Sequence, residues 1–314
     1  ETTMSKPAIP NISPLELKNM LHDGKEIALF DVREAGQFGE SHLLFATPLP
    51  YSRLELDVFN LLPRSNARTV ICDDGLSGIA AIAAARMQEL GYTDLAILAG
   101  GVHAWKAAGY GLFRGVNVPS KTLGELVEHA CHTPRITAQE LSRMQAAGEN
   151  FIIVDGRPFN EYNKMNIPGG ICCPNAELPY RIASMAPDPT TKIVVNCAGR
   201  TRSIIGAQTL INFGVPNPVV ALENGTQGWY LADFKLEKQS TRRYPAAIET
   251  GTLASARKAA ASLMKKFNVS EVQTKQVEKW LQDPARTTYL CDVRTPEEFA
   301  RDAIPGTEIG RAHV

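Results

Sequence analysis

Residues 193–203 read Ile193-Val194-Val195-Asn196-Cys197-Ala198-Gly199-Arg200-Thr201-Arg202-Ser203, and the pattern turns helical at Ile204. A β-branched run, a short polar loop and a helix together describe a buried strand whose carboxyl end hands a thiol to a helix N-terminus. That terminus brings unpaired N–H groups and the positive end of the helix dipole, and a tightly curled loop aims further amides at the same point. A thiolate there is favoured over a thiol, and Arg200 and Arg202 add full charges nearby. The same donors suit a tetrahedral oxyanion brought to the sulfur. Cys197 is therefore the candidate nucleophile, with Ala198, Gly199, Arg200, Thr201, Arg202 and Ser203 as candidate substrate-binding residues. Two arginines so close to the thiol predict that it is exposed, because unpaired charges are rarely taken out of water. Ser203 stands where it could cap the helix.

Working outward from this loop, one tripeptide frame recurs three times, each after an apolar run: Asp31-Val32-Arg33, Asp155-Gly156-Arg157 and Asp292-Val293-Arg294. The intervals of 124 and 137 residues are those of whole small domains in tandem. Other anchors hold the same register. Gly101 to Trp105 and Gly225 to Trp229 share Gly-x-x-x-Trp, each Trp 74 residues after its Asp. Ile12-Ser13 and Ile136-Thr137 stand 19 residues before theirs and head helical stretches. Each complete copy reads helix, strand (27–30; 151–154), helical turn, strand (69–72; 192–196), long helix, strand. That alternation predicts three-layer α/β domains, each with a central parallel sheet flanked by helices and its ligands at the carboxyl ends of the strands.

The expected division is a first domain over 8–118, a linker helix over 119–134, a second domain over 135–240, a linker helix over 241–269, and a truncated start of a third domain over 270–314. The third copy stops too soon to close a core and is expected to be poorly ordered or to lean on a neighbour. The linker helices read as packing elements without chemistry.

Offsets decide what the first copy can do. Cys197 lies 42 residues after Asp155, and 42 residues after Asp31 is Asp73. A carboxylate in the cradle would fill it and repel an anion, so the first copy is expected to be inactive, a docking or regulatory domain. Cys72 aligns with Asn196, at the end of the strand; a shift of one residue would revive it as a nucleophile.

Composition excludes some partners. Thirty-three basic residues balance thirty-three acidic ones, which favours neither nucleic acid nor an anionic membrane. No apolar run is long enough for a membrane span, and residues 1–6 have no apolar core of a signal peptide, so the cytoplasm is expected. Six sparse cysteines predict reduced thiols, without a disulfide framework or a zinc site. His129 and His132 read as surface residues, and Trp105 and Trp229 as packing. Cys172 and Cys173 could resolve a persulfide or disulfide on Cys197 if the fold brings them close.

The loop from Cys197 to Ser203, with Asp155-Gly-Arg-Pro before it and Gly225-x-x-x-Trp229 after it, resembles the tandem-repeat rhodanese, or thiosulfate sulfurtransferase, family. Asn166-Ile167-Pro168-Gly169-Gly170 is similar to the family's His-Ile-Pro-Gly-Ala, with Asn166 in place of His. The resemblance spans residues 11–240 as two copies, plus a fragment. It implies a sulfurtransferase that takes a sulfane sulfur from a small donor such as thiosulfate onto Cys197 as a persulfide. The sulfur then passes to a small acceptor such as cyanide or to a thiol, an acceptor protein's included, with no cofactor and no metal. It also implies that Asp155, Arg157 and Glu161 form an internal ion pair that shapes the domain. Two alternatives stand beside it: a non-catalytic rhodanese-like binding or regulatory module, and a phosphatase or arsenate reductase. Against the latter, four residues separate Cys197 from Arg202, where phosphate chemistry in related domains uses five.

Overall fold

A computed structural model describes residues 7–248 and 250–309. The first repeat has strands β1 (Asn11–Ile12), β2 (Ala28–Asp31), β3 (Thr47–Pro48), β4 (Thr69–Cys72) and β5 (Leu95–Leu98), in the order β1-β5-β4-β2-β3. The second has β6 (Arg135–Ile136), β7 (Phe151–Asp155), β8 (Ile171–Cys172), β9 (Lys192–Asn196) and β10 (Val219–Leu222), in the order β6-β10-β9-β7-β8. Every neighbouring pair in both sheets is parallel.

Side chains alternate across each sheet with period two, and each face buries its own core. Phe30 and Ile71 pack with Leu54, Val58 and Met87, whereas Leu29 and Val70 face Leu17, Phe38 and Trp105. In the second repeat Ile193 and Val195 pack with Ile182, Ile204 and Leu210, and Val194 faces Leu141, Ile167 and Trp229. These are the three layers the alternation predicts.

The outer strands β1, β3, β6 and β8 are absent from the reading of the sequence. Two residues show no alternation, and their strand character comes wholly from pairing with β5, β2, β10 and β7. The helices behind β1 and β6 begin where expected. Ser13 and Thr137 each cap one, and Glu16 and Glu140 return the bond to the cap's own amide at 2.7 Å.

The tripeptide frame is one device built three times. Asp31, Asp155 and Asp292 end a strand and bind the arginine two residues on: Nε donates to Oδ1 at 2.9, 2.8 and 3.0 Å. The same arginine donates through Nη2 to a carbonyl eight residues further, that of Ser41, Met165 or Asp302. A planar fork that satisfies a carboxylate and a carbonyl at once makes Arg the residue of choice. Asn166, where the related motif has His, is wholly buried near the end of that turn, and its backbone N–H donates to the Glu237 carbonyl at 2.8 Å.

After the repeats, β11 (Leu290–Asp292) and β12 (Thr307–Ile309) form a two-stranded parallel sheet flanking the helix Pro296–Arg301. Compactness groups 272–289 with the first repeat, where Tyr289 Oη donates to the Leu61 carbonyl at 2.8 Å. The helix Val118–Cys131 belongs from Ser120 onward with the second repeat. Among the described residues no helix is long and apolar enough to cross a membrane.

Candidate functional site

Cys197 leaves the carboxyl end of β9, and the helix Gly225–Leu231 holds its backbone. Thr226 donates to the Cys197 carbonyl through its amide at 2.8 Å and its hydroxyl at 2.9 Å, and the Gln227 amide donates to Ala198 at 3.0 Å. The cysteine is only 1% exposed, which corrects the expectation of an exposed thiol. The residue is buried where β9 passes into the loop. The arginines that argued for exposure stay at the rim, and each has found carboxylate partners there.

Arg200 donates through Nε to Glu125 Oε1 at 2.6 Å and through Nη2 to Glu125 Oε2 at 3.1 Å, and it also binds Glu128. Arg202 makes a two-pronged pair with Glu161, at 2.9 and 2.8 Å. Glu161 thus pairs with the loop arginine. Ser203 does not cap the helix Thr201–Phe213: the cap position is Arg200, and Ser203 Oγ donates to the Arg200 carbonyl at 2.8 Å. A hydroxyl pointing back at a carbonyl leaves the first-turn amides unsatisfied.

Those amides distinguish the two repeats. Among the described residues, the backbone N–H groups of Ala198, Gly199, Arg200, Thr201, Arg202 and Ser203 donate to no protein acceptor. In the first repeat three of the matching amides, those of Gly75, Leu76 and Ser77, are taken, and so is that of Ala80 one residue beyond the set. Asp73, 4% exposed, accepts from the Gly75 amide at 2.7 Å, the Ala80 amide at 3.0 Å and Ser77 Oγ at 3.2 Å. Asp74 accepts from the Leu76 and Ser77 amides, both at 2.8 Å, and these bonds hold its carboxyl below the usual range. The first cradle binds its own anions; the loop that follows Cys197 keeps its donors open. Asp73→Ala is expected to lower the stability of the first repeat by about 1–3 kcal/mol, because it strands the buried Ala80 amide and the part-buried Gly75 amide. Urea unfolding would check this, and an unchanged midpoint would show that the carboxylate does not satisfy the cradle.

Strand register settles which residue matches Cys197. Cys72 sits opposite Asp31 and Asn196 sits opposite Asp155, so Cys72 corresponds to Asn196 and Asp73 to Cys197. Cys72 is fully buried, and burial first, then Asp31, pushes its thiol well up.

Several residues at the site were missed from the sequence. Asn196, wholly buried, donates to Asp155 Oδ2 at 2.8 Å and to Thr226 Oγ1 at 3.3 Å, so it ties the Asp155–Arg157 pair to the group that holds the Cys197 carbonyl. Asn175 donates to the Arg202 carbonyl at 2.8 Å. Its carboxamide fits because Gly156 and Gly206 leave room: a Cβ there would stand 2.0 or 2.5 Å from Asn175 Oδ1. A signal was present. At equal offsets from the frame aspartate the first copy has Cys72 for Asn196, Val102 for Thr226, Tyr51 for Asn175 and Gln37 for Glu161. The buried amide and hydroxyl of Asn196 and Thr226, which the first copy replaces with Cys72 and Val102, mark the site.

The other thiols stand apart. Cys172 lies on β8, across Asp155 from Asn196, two strand spacings or roughly 10 Å from the end of β9. Burial pushes Cys172 up to about 12 and Cys173 well above its usual range. A thiol whose pKa is raised stays protonated below it. At pH 8 Cys72, Cys172 and Cys173 are therefore expected to resist iodoacetamide in the folded protein while exposed Cys131 and Cys291 react; rapid labelling of the buried three in a mass-spectrometric time course would contradict this. His129 and His132 line a shallow depression beside Arg200. Among the described residues no three His, Cys, Asp or Glu side chains converge as metal ligands.

The model of the rhodanese-like domain family matches residues 13–108 and 137–232. A solved thiosulfate sulfurtransferase from Pseudomonas aeruginosa is 46% identical with a TM-score of 0.93, the match covering 96% of this chain and 57% of that one. An HTH-type transcriptional regulator of Mycobacterium tuberculosis is 35% identical over 103 residues, which are 33% of this chain and 44% of the regulator. The probable adenylyltransferase/sulfurtransferase MoeZ of the same organism is 30% identical over 95 residues, 30% of this chain and 24% of MoeZ. The chain thus spans little more than half of the first of these proteins and less than half of the other two.

Proposed function

The chain belongs to the rhodanese-like domain family, and we propose that it is a sulfurtransferase working through a persulfide on Cys197. The Cys197 thiolate attacks the sulfane sulfur of a donor such as thiosulfate. The S–S bond breaks, its electron pair leaves with sulfite, and the outer sulfur stays on Cys197. A nucleophile such as cyanide or a thiol then attacks that sulfur, and the Cys197 thiolate is restored as leaving group. The amides of residues 198–203 neutralise the developing anion without having to reorganise.

One observation carries this reading. The amides of residues 198–203 have no protein acceptor among the described residues, while three of the matching amides in the first repeat, those of Gly75, Leu76 and Ser77, are bound by Asp73 and Asp74. A module that only bound a partner would gain nothing from open donors around a buried thiol. The first repeat is then a docking or regulatory domain, and six unpaired cysteines fit a reducing cytoplasm.

Intact-mass spectrometry after thiosulfate treatment tests the reading. The wild type is expected to gain one sulfur, roughly 32 Da, and to lose it to cyanide. A folded, reduced protein that gains nothing from thiosulfate or from a thiosulfonate would sink it.

A further inference from the structure

The helix Val118–Cys131 lies outside both stretches that match the family, yet it is built into the loop that holds Cys197. Gly124 shows how closely: a Cβ there would stand 2.9 Å from Thr201 Cγ2 and 3.3 Å from Thr201 Cα. One residue and one turn further on, Glu125 and Glu128 close on Arg200. Glu128 also accepts from Arg135 Nη1 at 3.2 Å, and Arg135 Nε stands 3.8 Å from Glu223. On this flank three carboxylates face two guanidinium groups, which leaves one net negative charge. On the other flank Glu161 cancels Arg202. The charge of each rim arginine is therefore offset by carboxylates, while the amides of residues 198–203 remain open as donors to an anion.

We propose that Glu125 and Glu128 determine which sulfur donors the site accepts: by neutralising Arg200 they disfavour dianionic donors relative to singly charged or neutral ones. The inference rests on Cys197 being the sulfur-carrying thiol. Its physics is simple. The interaction of a donor with a fixed carboxylate scales with the donor's charge, so a dianion meets twice the repulsion of a monoanion of the same shape. Salt does not erase the difference, because the Glu128 side chain is 13% exposed and sits against the loop. Both glutamates act through Arg200 and the local field, and they are positioning residues, not catalytic ones.

The test separates binding from sulfur transfer. In a Cys197→Ser background, thiosulfate (a dianion) and methanethiosulfonate (a monoanion) are titrated calorimetrically into the protein with and without Glu125→Gln and Glu128→Gln. The double substitution is expected to tighten thiosulfate binding by about three- to tenfold and methanethiosulfonate binding clearly less. Equal gains for both anions, no gain, or no binding by any form would each overturn the proposal. Glu125→Gln alone alters a side chain that is 56% exposed, so a smaller gain of the same sign is expected even if the double variant folds poorly. The persulfide measurement on the wild type stands apart: a wild type without an adduct refutes sulfur transfer, whereas these titrations read only the discrimination between anions.

Discussion

Cys197→Ser is expected to abolish the sulfur adduct and to lower thiosulfate:cyanide turnover by about three orders of magnitude or more, since it removes the covalent intermediate itself. A hydroxyl of nearly the same shape leaves the loop in place, so unfolding should shift by no more than about 1 kcal/mol. Loss of activity with retained stability is what separates a nucleophile from a packing residue. Cys72→Ala serves as the control. Cys72 sits on a central strand opposite Asp31, fully buried, with burial holding its thiol protonated. That variant is expected to keep the adduct and turnover within about twofold while losing some stability, as core truncations do. Peptide mapping decides the matter: sulfur found on any other cysteine in Cys197→Ser would move the site.

The central strands, the three layers and the place of the thiol were legible because each rests on a local signal: β-branched runs, period-two alternation and a strand-loop-helix junction. The offset from Asp31 to Asp73 was legible for another reason, since an internal repeat lets one copy serve as the reference for the other. Burial of Cys197 was not, because it depends on pairing. Arg200 meets Glu125 and Glu128 from 75 and 72 residues away, and Arg202 meets Glu161 from 41 away. A charge read without its partners looks as though it must face water. The helix Val118–Cys131 was legible only in part: its apolar spacing showed that it packs, and only the tertiary contact at Gly124 shows that it packs on the loop.

Gly225→Ala is the second large effect, and it follows from that kind of contact. Gly225 adopts φ +52°, left-handed like Asn224 before it, and an added Cβ would stand 2.3 Å from the Cys197 carbonyl oxygen and 2.6 Å from that of Gly199. Both obstacles are backbone, so no rotamer relieves them; either the loop or the helix Gly225–Leu231 must move. The expected cost is about 2–4 kcal/mol of stability in the second repeat, with at least about a hundredfold loss of sulfur transfer, because a shift of about 1 Å in a reacting atom is enough for that. The first repeat supplies the matched control. Gly101 has the same φ, and its added Cβ would stand 2.3 Å from the Asp73 carbonyl oxygen. Gly101→Ala should therefore destabilise the first repeat to a similar degree and leave the Cys197 adduct intact. If both variants lose stability but Gly225→Ala still forms the persulfide at the wild-type rate, the helix Gly225–Leu231 only supports the fold, and the position of Cys197 is set by β9 and the Asn196–Thr226 bond instead. If Gly101→Ala also loses the adduct, the two repeats are coupled, and the Asp73 cradle acts on the thiol from a distance.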